Sequence, residues 1–355
     1  MNPSPLSESR PTLEVIICTY NRERLLRNTL DALVAQRAAH DGRWAVLVVD
    51  NNCTDGTAEL VEKYQGRLPG LRRTTESRQG LTEARQHGFH ASDSPWVGFV
   101  DDDCVPEPDW VGQVLTHIAA RPDIAGFNGR NILHFEDDKP RPWVHPEMFA
   151  AGGPVDDVEQ ERPFLHGAGL VLRRRAVERS GWINAPKAED RRGNSLVSGG
   201  DNELAVRAKA GGEGGGLWFV PDCRIHHRVD VSRLGFSYLV RLNYRLAEAG
   251  PLLVAMQSPT LLGWHRFTLR YLGFRYASLV GIKRDEMITD GGGVRSMVLA
   301  ISRVAGATIG YLKLAAKPVA LKAHMIGIAT PEWVESNAPD DHGPDRVRTE
   351  AEIGA

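Results

Sequence analysis

Cysteine is scarce in this chain of 355 residues, and the four present, Cys18, Cys53, Cys104 and Cys223, lie far apart with no CxxC pair. That spacing argues against a disulfide scaffold and against a structural zinc site. The expectation is four thiols of a cytoplasmic protein, mostly in the core. The polar, Pro/Ser-containing stretch Met1 to Thr12 has no apolar h-region, so no secretory signal is expected. No uninterrupted apolar run approaches the ~20 residues of a bilayer span. Neither sign of charge dominates: 43 Lys/Arg against 45 Asp/Glu leave a net charge of −2, which points to no nucleic-acid partner. A hydrophobic content of 42% with 25% charged residues excludes a disordered, collagenous or coiled-coil chain.

The distribution of charge is more informative than its sum. Residues 1–230 carry 28 Lys/Arg against 34 Asp/Glu, residues 231–331 carry 13 against 4, and residues 332–355 carry 2 against 7. An acidic body, a basic third and a short acidic tail follow from this. The expected boundaries are a flexible arm over 1–12, a catalytic domain over 13–230, a basic helical extension over 231–334 and a disordered tail over 335–355.

Within the body, apolar runs alternate with helical spacing. Leu13–Cys18, Trp44–Asp50, Leu71–Thr75 and Trp96–Val100 read as strands. Arg22–Gln36, Thr57–Tyr64, Leu81–Ala91 and Pro108–Ala120 read as helices, and Ile124–Leu133 and Phe164–Arg173 as further strands. Continuous apolar strands between amphipathic helices predict an α/β fold with a mostly parallel sheet covered on both faces. Ligands of such sheets bind at the carboxyl ends of the strands.

The residues after those ends are polar: Thr19-Tyr20-Asn21-Arg22, then Asp50-Asn51-Asn52, then Asp101-Asp102-Asp103. Three adjacent carboxylates repel one another and call for a cation. Hard oxygen ligands suit Mn²⁺ or Mg²⁺. A solvated acidic turn capping the next helix is the plain alternative, and the shared rim of three polar strand ends weighs against it. Asp50 can accept hydrogen bonds from a ribose or a base, or close an Asx turn. Asp201, after Gly199-Gly200, stands at a helix start as a cap or as a general base. His226-His227 follows a short strand, and one imidazole could complete a metal site.

Together these motifs resemble the inverting glycosyltransferases of family 2, which have the GT-A fold, a mostly parallel Rossmann-like sheet flanked by helices. The resemblance covers about residues 13–230. VIICTYNRERLLRNTL is similar to the family's first strand, nucleotide loop and helix, and VVDNNCTDGT to its second strand. ESRQGLTEARQHGF resembles the segment beside the diphosphate, VGFVDDDCVP the DxD segment, GGDNELAVRAKAGG the helix of the base, and PDCRIHHRV the segment that supplies a histidine. The resemblance implies transfer of a sugar from a nucleotide-sugar donor, UDP-linked by default, to an acceptor hydroxyl of a glycan, a lipid-linked glycan or a small molecule. It implies Asp201 as base, Asp103 and His227 as metal ligands, and Thr19, Tyr20, Asn21, Arg22, Asp50, Asn52, Arg78, Gly80, Arg85, Asp101 and Asp102 around the nucleotide sugar. His166, Trp182 and Asn202 are candidates for the acceptor wall.

Three departures from the pattern stand out: Gly200 where a Glu usually precedes the base, Arg78 where an Asn is common, and a long polar segment over 181–198. A retaining enzyme of the same fold and a non-catalytic nucleotide-sugar-binding protein are the rival readings. In the extension, Arg303, Gly306, Gly310, Lys313 and Lys317 share a helix face, and Pro318 should end that helix. A basic amphipathic helix suits the inner face of a membrane, and a packed helical cap is the alternative.

Overall fold

The computed structural model describes residues 10–38, 41–137, 157–186, 199–212, 215–280 and 292–318, with isolated positions between these stretches. The expected mobile arm falls almost wholly outside the described residues, and the expected acidic tail entirely so.

Strands β1 (Leu13–Thr19) and β2 (Trp44–Asp50) are almost wholly buried, as continuous β-branched runs require in a sheet covered on both faces. They pair in parallel, with Thr19 opposite Asp50. β3 (Arg72–Thr75) joins the outer side of β2, and β4 (Trp96–Phe99) the other side of β1, both in parallel. Helices α1 (Glu23–Val34), α2 (Thr57–Glu62), α3 (Leu81–Ala91) and α4 (Trp110–Ala120) connect or flank these strands. Gly88 of α3 lets that helix lie close on the sheet, since a Cβ there would fall 2.7 Å from Ile16 and 2.9 Å from Val49.

Beyond β4 the chain departs from simple alternation. β5 (Cys104–Pro106), β6 (Gly126–Asn128), β7 (Asn131–Phe135), β8 (Gln160–Arg162) and β9 (Leu170–Arg173) come first. α5 (Arg174–Arg179), α6 (Gly200–Gly211), β10 (Leu217–Phe219) and β11 (Ile225–Val229) follow. The large sheet runs β3-β2-β1-β4-β9-β6-β10-β8, with β9 antiparallel to both neighbours, and a small sheet runs β5-β11-β7. The single strand expected over Ile124–Leu133 is therefore two strands in two sheets. Gly129 makes the passage between them, because a Cβ there would lie 1.7 Å from the Cys223 carbonyl oxygen. The strand expected over Phe164–Arg173 shrinks to β9.

The extension is helical: α7 (Phe236–Gln257), α8 (Leu261–Val280) and α9 (Gly292–Ala315). α9 ends before Pro318. The face expected to be basic is divided: Lys313 and Lys317 are exposed, but the glycines between Arg303 and Lys313 are buried. Gly306 and Gly310 press on the α7 backbone, where a Cβ would meet the Tyr244 and Glu248 carbonyl oxygens at 2.1 and 2.2 Å. Lys313 pairs with Glu248 of α7. Alongside the exposed Arg295 and Lys313, an apolar stripe of Val294, Ile301, Ala305, Ile309 and Leu312 also faces outward. From Val294 to Ala315, α9 is long and apolar enough to cross a membrane, which the search for an uninterrupted apolar run did not anticipate.

Candidate active site

The polar ends of β1, β2 and β4 converge with the start of α6 and the middle of β11 on one cavity of about 190 Å³. Among its lining residues are Thr19, Tyr20, Arg22, Arg85, Asp101 to Asp103, Asp201 and His227. Segments from the two ends of the first 230 residues thus meet on one rim.

The three carboxylates differ sharply in environment. Asp101 is the most open, with Arg85 Nη2 3.6 Å away. Asp102 is buried, takes hydrogen bonds from Thr19 Oγ1 at 2.8 Å and Arg22 Nη1 at 2.9 Å, and is pushed up to about 6 by burial and by Asp103. Asp103 is also buried. Burial opposes its ionisation, but His227, Arg22 and Arg233 outweigh that and hold its carboxyl well below the usual range. The counter-charge that three carboxylates demand is thus supplied in part by arginines. Arg22 bridges Asp102 and Asp103, and Arg233, arriving from just before α7, reaches Asp103 Oδ2 at 3.0 Å.

That arrangement leaves a defined place for a cation. Both arginines bind Oδ2 of Asp103. Oδ1 faces His227 Nε2 at 3.4 Å and the Cys104 sulfur at 3.9 Å. The donor atoms of Asp103, Cys104 and His227 lie within 4.8 Å of one another, and His227 Nδ1 is buried without a hydrogen-bond partner among the described residues. Burial raises the Cys104 thiol well above its ordinary value, so it stays protonated and is a poor ligand. A carboxylate oxygen and an imidazole nitrogen can both ligate a divalent cation. His226 turns away, to Glu107 at 3.1 Å.

Asp201, in the first turn of α6, lines the cavity, and its Oδ2 accepts from the Gly167 amide at 2.7 Å. Glu203 is fully buried, accepts from the Ala188 amide at 2.6 Å and pairs with Arg207, so it does not reach the cavity. Arg85, also buried, reaches Asp190 at 3.2 Å as well as Asp101.

Other residues singled out above lie off the cavity wall. Asp50 is buried one layer back, taking Arg73 at 2.9 Å and the Cys53 amide at 2.8 Å. Asn21 and Asn52 shape the rim from left-handed backbone, with φ of 51° and 64°. Arg78 pairs with Glu76 beside it. Gly80, at φ 150°, starts α3. Trp182 is core, 1% exposed; Asn202 donates to the Leu165 carbonyl, and His166 packs edge-on against Phe164. None of these last three is among the residues that line the cavity.

Residues the sequence reading passed over take part instead. Asn51 ties the β2 end to the loop before α3, donating to the Glu76 and Arg78 carbonyls and accepting from the Gly80 amide at 2.8 Å. The polar triplet at the β2 end was its signal. Asp190 and Arg191, from the polar segment over 181–198, and Met148 and Phe149 also line the cavity.

With this geometry in place, the comparisons are specific. Residues 14–181 match the model of "Glycosyl transferase family 2". Glycosyltransferase AglE of Haloferax volcanii is 30% identical over 211 residues, 58% of this chain and 64% of that protein. Validoxylamine A glucosyltransferase of Streptomyces hygroscopicus subsp. limoneus is 34% identical over 107 residues, 30% of this chain and 23% of that protein. The chain thus spans less than two thirds of either relative. Among solved structures, mannosyltransferase PcManGT of Pyrobaculum calidifontis, in complex with GDP-Man and Mn²⁺, is 19% identical, with a TM-score of 0.49 over 87% of this chain and 76% of that one. That likeness is too distant to carry a donor or a metal across.

Proposed function

Residues 14–181 belong to glycosyltransferase family 2, and on that premise we propose that the chain is an inverting transferase that moves a sugar from a nucleoside diphosphate to an acceptor hydroxyl. The observation that carries this reading is the convergence of a carboxylate–imidazole pair and a separate cavity-lining carboxylate on one cavity at the strand ends. Thr19, Tyr20 and Asn51 present the β1 and β2 ends to the nucleotide, and Arg22 and Arg85 bring positive charge to the diphosphate. Asp103 and His227 would hold a divalent ion, Mn²⁺ or Mg²⁺, which neutralises charge on a leaving diphosphate. Asp201 stands apart from that pair and accepts the acceptor's proton as its oxygen attacks the anomeric carbon.

A UDP-sugar is the donor we favour, and the acceptor is a glycan, lipid-linked or small-molecule alcohol. The test is a thermal-shift panel of UDP-glucose, UDP-N-acetylglucosamine, UDP-galactose and GDP-mannose with Mn²⁺, followed by NMR of the product. A donor should raise the melting temperature by mass action, and the product should have the opposite anomeric configuration to the donor. Retention of configuration would overturn the inverting reading.

A place at the inner face of a membrane also belongs to this reading, and one observation favours it: the outward apolar stripe of α9. α8 and α9 contain no Asp or Glu and six Arg or Lys, a composition that suits an anionic lipid surface. Cosedimentation with phosphatidylglycerol vesicles should be lost in Ile301→Glu/Leu312→Glu and largely kept in Lys313→Glu, since Lys313 is engaged with Glu248. Wild-type protein left in the supernatant would reduce these helices to a packed cap.

A further inference from the structure

The helix that carries Asp201 begins with Gly200, which is buried and has no side chain to offer. The space beside it is nevertheless filled. A Cβ on residue 200 would lie 2.3 Å from Asp190 Oδ2 and 2.8 Å from its Cγ. A carboxylate from ten residues earlier therefore occupies the room that a side chain just before Asp201 would claim.

Asp190 is held there by local anchors. Its Oδ1 accepts from the Arg191 amide at 2.8 Å, and its Oδ2 accepts from Arg85 Nη1 at 3.2 Å. The Arg191 carbonyl in turn accepts from the Leu81 amide at 3.0 Å, pinning this part of the chain to the start of α3. Asp190 lines the cavity together with Arg85, Asp201 and Leu81, the first residue of α3. Burial pushes its carboxyl up to about 6, so the fold bears a cost for placing a charge there. Each carboxylate oxygen has a second lone pair beyond the bonds just named. A sugar ring carries paired hydroxyl donors that suit such an acceptor.

We propose that Asp190 is a donor-sugar-binding residue, whose carboxylate accepts hydrogen bonds from hydroxyls of the transferred sugar in room that Gly200 leaves open. This rests on the nucleotide-sugar reading above and adds a specificity residue to it. A hydrogen bond to a charged group strengthens binding by about 10- to 100-fold.

The test is calorimetric titration with Mn²⁺ present, using whichever of the four nucleotide sugars the wild type binds and that sugar's own nucleoside diphosphate. Asp190→Ala should weaken the nucleotide sugar by that factor of about 10 to 100 and leave the nucleoside diphosphate unchanged. Gly200→Glu alone should also lose sugar affinity, because its side chain meets Asp190. Asp190→Ala/Gly200→Glu should regain it, the longer carboxylate entering the vacated place. Equal weakening of both ligands in Asp190→Ala would overturn the inference and make Asp190 a support for Arg85. No weakening of either would overturn it as well. Failure of the wild type to bind any of the four would instead sink the proposed function, and this inference with it.

Discussion

Asp201→Asn should bind nucleotide sugar as the wild type does and transfer it about 10²–10⁴-fold more slowly, the usual cost of losing a general base. Asparagine keeps the shape, and its carbonyl oxygen can still accept from the Gly167 amide, a bond of 2.7 Å in the native protein. What it cannot do is take the acceptor's proton. The carboxylate–imidazole pair lies on other segments, so donor affinity should hold. Glu203 is the control. It is fully buried against Arg207 and the Ala188 amide, so Glu203→Gln should act on stability; breaking a buried pair costs about 3–5 kcal/mol. Thermal melts and single-turnover rates separate the two. Near-normal turnover in Asp201→Asn would remove it as the base.

The strands that build the rim were legible because they are buried on both faces. β1, β2 and β4 read as apolar runs, interrupted only by Glu14 in β1, and polar residues stand at or just after the end of each. The second half of the sheet was not legible. β9 runs antiparallel between β4 and β6, and nothing in so short a strand, three apolar residues and Arg173, encodes direction. Nor could local sequence show that Gly129 must slip past the Cys223 carbonyl and divide one apparent strand between two sheets.

At the site, the acidic cluster was visible but its neutralisation was not. Arg233 lies 130 positions from Asp103, and only folding brings them to 3.0 Å. Asp190 escaped notice for a similar reason, since its meaning depends on the room over Gly200. Asn51 stands beside Asp50, the chemically richer group in the sequence, yet Asp50 turns to Arg73 behind the cavity wall. In the extension, Arg303, Gly306, Gly310 and Lys313 do share a face, but its two parts differ: Lys313 is exposed at its end while the glycines are buried against α7. The two glycines mark a close helix contact, and that contact turns the apolar residues outward.

Binding of a nucleotide through a divalent ion on the Asp103–His227 pair is the step on which the proposed chemistry depends. Asp103→Ala would leave Arg233 buried without its carboxylate, mixing stability into the result. Asp103→Asn keeps the volume and an oxygen for Arg233 while removing the charge a metal needs. The measurement is calorimetric titration of the wild type and Asp103→Asn with the bound nucleotide sugar, in Mn²⁺ and again in EDTA. Wild-type binding should be tight only with Mn²⁺, and the variant should lose about 100-fold or more, as expected when a metal contributes several kcal/mol of charge stabilisation. Equal binding in Mn²⁺ and EDTA, unchanged in Asp103→Asn, would contradict the proposed chemistry.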